Sequence, residues 1–189
     1  MSDLNTDYKA FVAKLFNRTG DLSKDFSHAV FGIVTEVDEM FKAKDDKHAR
    51  EEKGDLMFFV RALILVSNEA SGMDTERVTI DQYPDVTQKV LGSSNPQQSL
   101  NDLMIDLMDA AKRWVGYGKI PADFSLLVFK AQLATGIALS VCRFQGDTPE
   151  DVVKTNMAKL LVRYPGGEFD AYRAVERDLE AERVVLEKP

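Results

Sequence analysis

Cysteine is almost missing from this chain. Cys142 is the only one in 189 residues, which excludes an internal disulfide and fits a reducing compartment. Long apolar runs are missing too: none approaches the ~20 residues needed to span a bilayer, and the stretch 56–66 is interrupted by Arg61. The start, Met1-Ser2-Asp3-Leu4-Asn5-Thr6-Asp7, lacks the basic residues and apolar core of a signal peptide. A cytoplasmic protein without a membrane partner is expected. Positive charge is in deficit. With 24 Lys and Arg against 31 Asp and Glu, the net charge of −7 argues against a nucleic-acid surface. Period-two alternation is scarce, since Thr79-Ile80 and Val184-Val185 are too brief for a sheet. Neither His28 nor His48 belongs to a Glu-x-x-His pair, which removes a ferritin-like di-iron site.

What remains is helical periodicity, with 44% apolar residues to build a core. The fold class is expected to be all-α, as one domain over 1–189 or as two closely fused halves. Helices are expected over 3–16, 22–44, 49–69, 74–83, 99–117, 124–143, 149–164 and 170–187. Breaks fall at Gly20, 44–47, Ser71-Gly72, 92–96, 116–121, Gly146-Asp147 and Pro165-Gly166-Gly167. Thr148-Pro149-Glu150-Asp151 reads as a cap, a proline and an acidic first turn.

Two acidic pairs carry the chemistry. Glu36 and Glu39 lie on one amphipathic segment, Glu52 and Asp55 on the next. Each pair has i,i+3 spacing, which puts both carboxylates on one side of a helix, roughly 5–6 Å apart at Cβ. The apolar stripe of the first segment is Val30, Ile33, Val37, Met40 and Phe41; that of the second is Leu56, Phe59, Val60, Leu63 and Val66. Glu52 falls inside its stripe and Asp55 on the edge; Glu36 borders its stripe, Glu39 is further out, and Asp38 faces solvent. Packed side by side, the two helices would gather four carboxylates that need a positive partner. Oxygen-only ligands select Mg²⁺, with Mn²⁺ as a substitute, over zinc or copper. The plainer reading of Glu51 and Glu52 is that acids favour a helix N-terminus, but it does not explain paired spacing on two successive helices.

Glu-x-x-Glu, a 12-residue spacer and Glu-x-x-Asp with Gly54-Asp55-Leu56 resemble the MazG-type, all-α NTP pyrophosphohydrolases. The resemblance extends upstream to His28-Ala29 and Gly32. It returns at Asn156-Met157-Ala158-Lys159-Leu160-Leu161-Val162-Arg163-Tyr164-Pro165 and in the tail Arg177-Asp178-Leu179-Glu180-Ala181-Glu182-Arg183. It implies cleavage of a nucleoside triphosphate between its α- and β-phosphates, giving the monophosphate and pyrophosphate. Glu36, Glu39, Glu52 and Asp55 would hold one to three Mg²⁺, and Glu39 is the candidate to position or deprotonate the water. Lys159 and Arg163 would bind phosphate, with Asn156 and Tyr164 at the sugar or base or fixing the helix end. Small members of the family assemble as dimers or dimers of dimers, so a homodimer or larger homo-oligomer is expected.

The middle of the chain departs from that pattern. Residues 104–114 and 126–143 read as a degenerate second copy of 35–45 and 52–69, with halves at 21–92 and 97–170; a helical insertion is the alternative. Leu103, Asp106, Leu126 and Phe129 stand where the first copy has its acids, so the second cannot hold the same metals. Trp114 reads as a packing residue, with base stacking as the alternative. His28 is expected to cap or face another helix, and His48 or Lys47 could reach a phosphate. Other substrates on the same frame would be (p)ppGpp, dUTP or phosphoribosyl-ATP. A catalytically lapsed helical module that binds a nucleotide or a protein is the alternative from another class.

Overall fold

In a computed structural model, residues 4–76, 95–141 and 147–186 are described, and every regular element among them is a helix. They are α1 (Leu4–Leu15), α2 (Leu22–Lys42), α3 (Asp46–Ser71), α4 (Pro96–Tyr117), α5 (Phe124–Val141), α6 (Pro149–Arg163), α7 (Ala171–Val175) and α8 (Leu179–Leu186). The all-α expectation holds. Cys142, the 92–94 break and most of the helix expected over 74–83 lie outside the described residues, and 74–76 are not helical.

Caps explain where the boundaries differ from the sequence reading. The Asp45 side chain accepts from the His48 N–H at 2.8 Å, so α3 begins before Ala49. Asn95 caps α4 with Pro96 in its first turn, and Thr148 with Asp151 closes a capping box on α6. The single helix expected over 170–187 is instead two. Asp178 accepts from the Ala181 N–H at 3.0 Å and starts α8, leaving Arg177 in the break.

Helix α2 packs on α3 and α4, and α5 packs on α3 and α4, so two helical hairpins form a four-helix bundle. Val30, Ile33, Val37 and Met40 face its core as expected, but Phe41 is exposed. Trp114 is buried between Phe26 and Phe124, with both ring centroids 5.3 Å away, so it is a packing residue. Helix α5 is long and apolar enough to cross a membrane by length and composition, a run the sequence reading passed over. More than half of it is buried inside the protein, with Leu126 its one large apolar residue left exposed. Arg61, which interrupts the apolar run of α3, is buried with Glu76 at 3.0 Å and the Asn5 side chain as partners.

A second layer forms on the other side of α3, where α1, α6 and α8 pack. Two glycines permit the close approaches. A Cβ on Gly32 would lie 2.3 Å from the Phe59 ring, and one on Gly54 would lie 2.8 Å from Asn156 Cβ. The second contact is with an atom anchored to the backbone of α6, which cannot swing aside. Gly54→Ala is therefore expected to cost about 1–3 kcal/mol through overpacking, less roughly 1 kcal/mol regained in helix propensity. A calorimetric scan should show a lowered thermal midpoint. An unchanged midpoint would mean that α6 has room to move.

Candidate metal centre

Helices α2 and α3 are joined by only three residues, so their acidic faces meet. Carboxylate oxygens of Glu36, Glu39 and Glu52 all lie within 4.8 Å of one another. Around a small octahedral cation, ligand oxygens stand about 3 Å apart when adjacent and about 4 Å when opposite. The three glutamates fit such an ion. Glu52 is buried, Glu36 half-buried and Glu39 exposed, so the cluster has a dry floor and an open mouth. Asp38 faces away and pairs with Lys42 at 2.5 Å, as expected of a solvent-facing acid.

Asp55, the fourth expected ligand, is oriented differently. Its Oδ1 accepts from Asn156 Nδ2 at 2.8 Å and its Oδ2 from Lys159 Nζ at 2.5 Å. Asn156 is itself buried and accepts from the Tyr8 hydroxyl at 3.3 Å. Lys159 is fully buried, with Glu51 as a more distant partner at 3.5 Å. Asn156 and Lys159 thus stand behind Asp55, and the ammonium does not reach the cleft. His48 Nε2 lies 3.0 Å from Glu52 Oε1.

The cluster is electrostatically unfinished. Burial, then the charges of Asp55, Glu52 and Glu39 and a hydrogen bond to Glu52, push the Glu36 carboxyl up to about 9. Glu52 is raised as well, again with burial as the leading cause. A carboxyl held protonated by neighbouring carboxylates is one that a bound cation would also relieve. Glu36 binds its proton more tightly folded than unfolded, so its contribution to stability is full below its ordinary value of 4.5 and is lost as pH rises through about 9. In EDTA the thermal midpoint is expected to fall across that window. In saturating Mg²⁺ the fall should be much smaller, because the cation replaces the proton. Parallel curves with and without Mg²⁺ would contradict this.

A second charged group lies beside the first. The helix α6 ends at Arg163-Tyr164-Pro165, and a turn through Gly167 (φ +69°) reverses the chain. The Phe169 N–H then donates to the Lys14 carbonyl at 3.3 Å, which ties the tail to α1. Glu182 returns to Arg163, accepting from Nε at 2.9 Å and Nη2 at 2.5 Å, and accepts from Arg177 Nη2 at 2.7 Å. Burial alone would raise the Glu182 carboxyl, but the two guanidiniums hold it down at about 2. Its contribution to stability therefore persists above 4.5 and is lost only in acid.

Both groups open onto one cleft of about 340 Å³. Glu36, Glu39, Glu51, Glu52 and Asp55 line one part, Arg163 and Arg177 another, and Phe16, His28, Phe58, Phe59, Tyr164 and Phe169 the aromatic remainder. His28 stacks on Phe16 at 4.9 Å and meets Phe59 edge-on at 5.7 Å, so it faces neighbouring elements as expected. Six of the eight expected site residues line this cleft, and the other two support Asp55. Sequence reasoning missed Glu51, Arg177, Glu182 and, apart from Tyr164, the aromatic wall. Arg177 and Glu182 lie in the tail segment that resembles the closing helix of the small MazG-type proteins, and that resemblance implies no role for either. Phe16 and Phe59 carry no signal that separates a cleft wall from a core stripe.

The second hairpin has no such centre among the described residues. Asp106 is exposed and paired with Lys130 at 2.5 Å, Leu126 is exposed, and Leu103 and Phe129 are half-buried against the core. No family model, no curated protein and no solved structure matches this chain.

Proposed function

We propose that this protein is a Mg²⁺-dependent nucleoside triphosphate pyrophosphohydrolase, releasing a nucleoside monophosphate and pyrophosphate. The observation that carries the reading is the joint composition of the cleft. A three-glutamate cluster, two guanidiniums and an aromatic wall share about 340 Å³, matching the three parts of a metal-bound nucleotide. The resemblance of the acidic pairs and the Arg163-Tyr164-Pro165 segment to MazG-type enzymes points the same way.

Glu36, Glu39 and Glu52 would hold the cation, with Asp55 beside them. When bound, Mg²⁺ neutralises the phosphate chain and lowers the pKa of water at the α-phosphate. The protein supplies the rest. Glu39, the most exposed of the three acids, is placed to orient a water molecule or accept its proton. Asn156 and Lys159 fix the Asp55 carboxylate in one orientation. The guanidinium of Arg163 carries charge to the phosphates, and the aromatic wall offers flat apolar surface to a base. A homo-oligomeric assembly and a fused pseudo-dimeric origin of the two hairpins belong to the same reading.

The test is a panel of common NTPs and dNTPs with Mg²⁺, resolving pyrophosphate from orthophosphate. Pyrophosphate with the matching monophosphate is the expected result. Orthophosphate alone would overturn the assigned reaction. One observation favours a second reading: Lys159 and the fork of Arg163 are already occupied by Asp55 and Glu182. A lapsed nucleotide-binding module would bind a non-hydrolysable triphosphate with Mg²⁺ and turn over none of the panel. Silence across NTPs with turnover of (p)ppGpp would keep the site and change the substrate.

A further inference from the structure

The cation that the sequence offers as a phosphate ligand, Lys159, is fully buried on Asp55. The cleft nevertheless has a second cation beside Arg163. Arg177 stands in the break between α7 and α8, is about one-third exposed, and lines the same cleft as the three glutamates. Glu182 explains its position. This carboxylate is 1% exposed, lies behind the cleft rather than in it, and grips Arg163 and Arg177 together. One arginine would neutralise it. The second leaves the trio with one positive charge, which Glu51 meets only loosely, at 3.3 Å from Arg177 Nη2.

The remaining contacts of Arg177 are loose. Its Nη2 meets Glu51 Oε1 at 3.3 Å, longer than the 2.7–2.9 Å typical of charge-assisted bonds. Nη1 of Arg163 and Nη1 of Arg177 have no hydrogen-bond partner among the described residues. A phosphate oxygen could take these donors without breaking the grip of Glu182. Because that grip orders both side chains beforehand, little rotamer freedom is lost on binding.

We propose that Arg177 is a phosphate-binding residue and Glu182 its positioning residue, setting Arg163 and Arg177 as one clamp for the phosphate chain of a nucleoside triphosphate. The identity of the ligand rests on the function proposed above; the clamp itself requires only a polyphosphate. The probe is therefore inorganic tripolyphosphate with Mg²⁺, titrated calorimetrically into wild type, Arg177→Gln, Arg177→Lys, Glu182→Gln and the Arg177→Gln/Glu182→Gln double variant. Thermal midpoints are recorded alongside.

Arg177→Gln is expected to weaken binding about tenfold or more, as loss of charge-assisted bonds does, with its midpoint little changed. Arg177→Lys should recover only part, because an ammonium lacks the fork. Glu182→Gln should weaken binding although both arginines remain, and the double variant should lose less than the sum of the two single losses, since the part of Glu182's effect that passes through Arg177 is already gone while the part through Arg163 remains. A purely structural Glu182 would instead give additive losses. Should Glu182→Gln fail to fold, the two Arg177 variants decide alone. Undiminished binding by Arg177→Gln, or no binding by wild type, would overturn the clamp. Arg177-dependent tripolyphosphate binding without hydrolysis of any NTP would leave the clamp standing and remove the proposed reaction.

Discussion

Glu52→Gln is expected to lower NTP turnover by about a thousandfold, the scale of losing a main electrostatic contributor to catalysis, while leaving the metal-free protein at least as heat-stable as wild type. The two effects have one origin. Glu52 is buried within 4.8 Å of Glu36 and Glu39 oxygens, so without a cation its charge is a liability. The substituted amide would keep the size of the side chain and an oxygen for His48 while removing a buried negative charge. It would also remove a ligand. For wild type, Mg²⁺ at a hundred times its Kd should add about 2.7 kcal/mol of stability, which is roughly 5–10 °C in a domain of this size. That shift should largely disappear in Glu52→Gln. An inactive variant that is markedly less stable in EDTA would instead assign Glu52 a structural role.

Lys159→Met is expected to produce the largest loss of stability. The ammonium is fully buried, 2.5 Å from Asp55 and 3.5 Å from Glu51. Its loss leaves the half-buried Asp55 carboxylate without its charge-assisted partner, which costs about 2–3 kcal/mol, or roughly 5–10 °C in thermal midpoint. Asp55→Asn/Lys159→Met should recover much of this by removing the orphaned charge as well. The outcome also decides between two roles for the same residue. If Lys159→Met melts like wild type and loses only substrate affinity, Lys159 is the phosphate ligand that the sequence resemblance implies. A large fall in midpoint makes it the strut that fixes Asp55.

How far the sequence could be read follows from what kind of signal each residue leaves. Helical periodicity carried the all-α class and most helix positions, because a buried stripe repeats along each element. The i,i+3 acids on two successive segments showed the metal candidate, because helix geometry alone places Glu36 by Glu39 and Glu52 by Asp55. Periodicity could not show that Asp55 turns toward Asn156 and Lys159, since that depends on α6 approaching across Gly54. The tail was the least legible part. Its expected single helix breaks at Arg177 because Asp178 caps α8 and Glu182 draws the guanidinium toward Arg163. Apart from Tyr164, the aromatic wall has no sequence signature, since Phe58 and Phe59 follow the same pattern as core residues. Phe41 shows the converse, an apolar residue at a stripe position left exposed.

Mn²⁺ binding to metal-free protein, followed by the electron paramagnetic resonance signal of the free ion, tests the three-glutamate centre without recourse to any substrate. If Glu36, Glu39 and Glu52 form a divalent-cation centre, wild type should remove Mn²⁺ from solution in a saturable way, excess Mg²⁺ should release it, and Glu52→Gln should bind it far more weakly. Mn²⁺ that stays free with wild type, or binds equally well to Glu52→Gln, would mean that these three glutamates are not a divalent-cation centre.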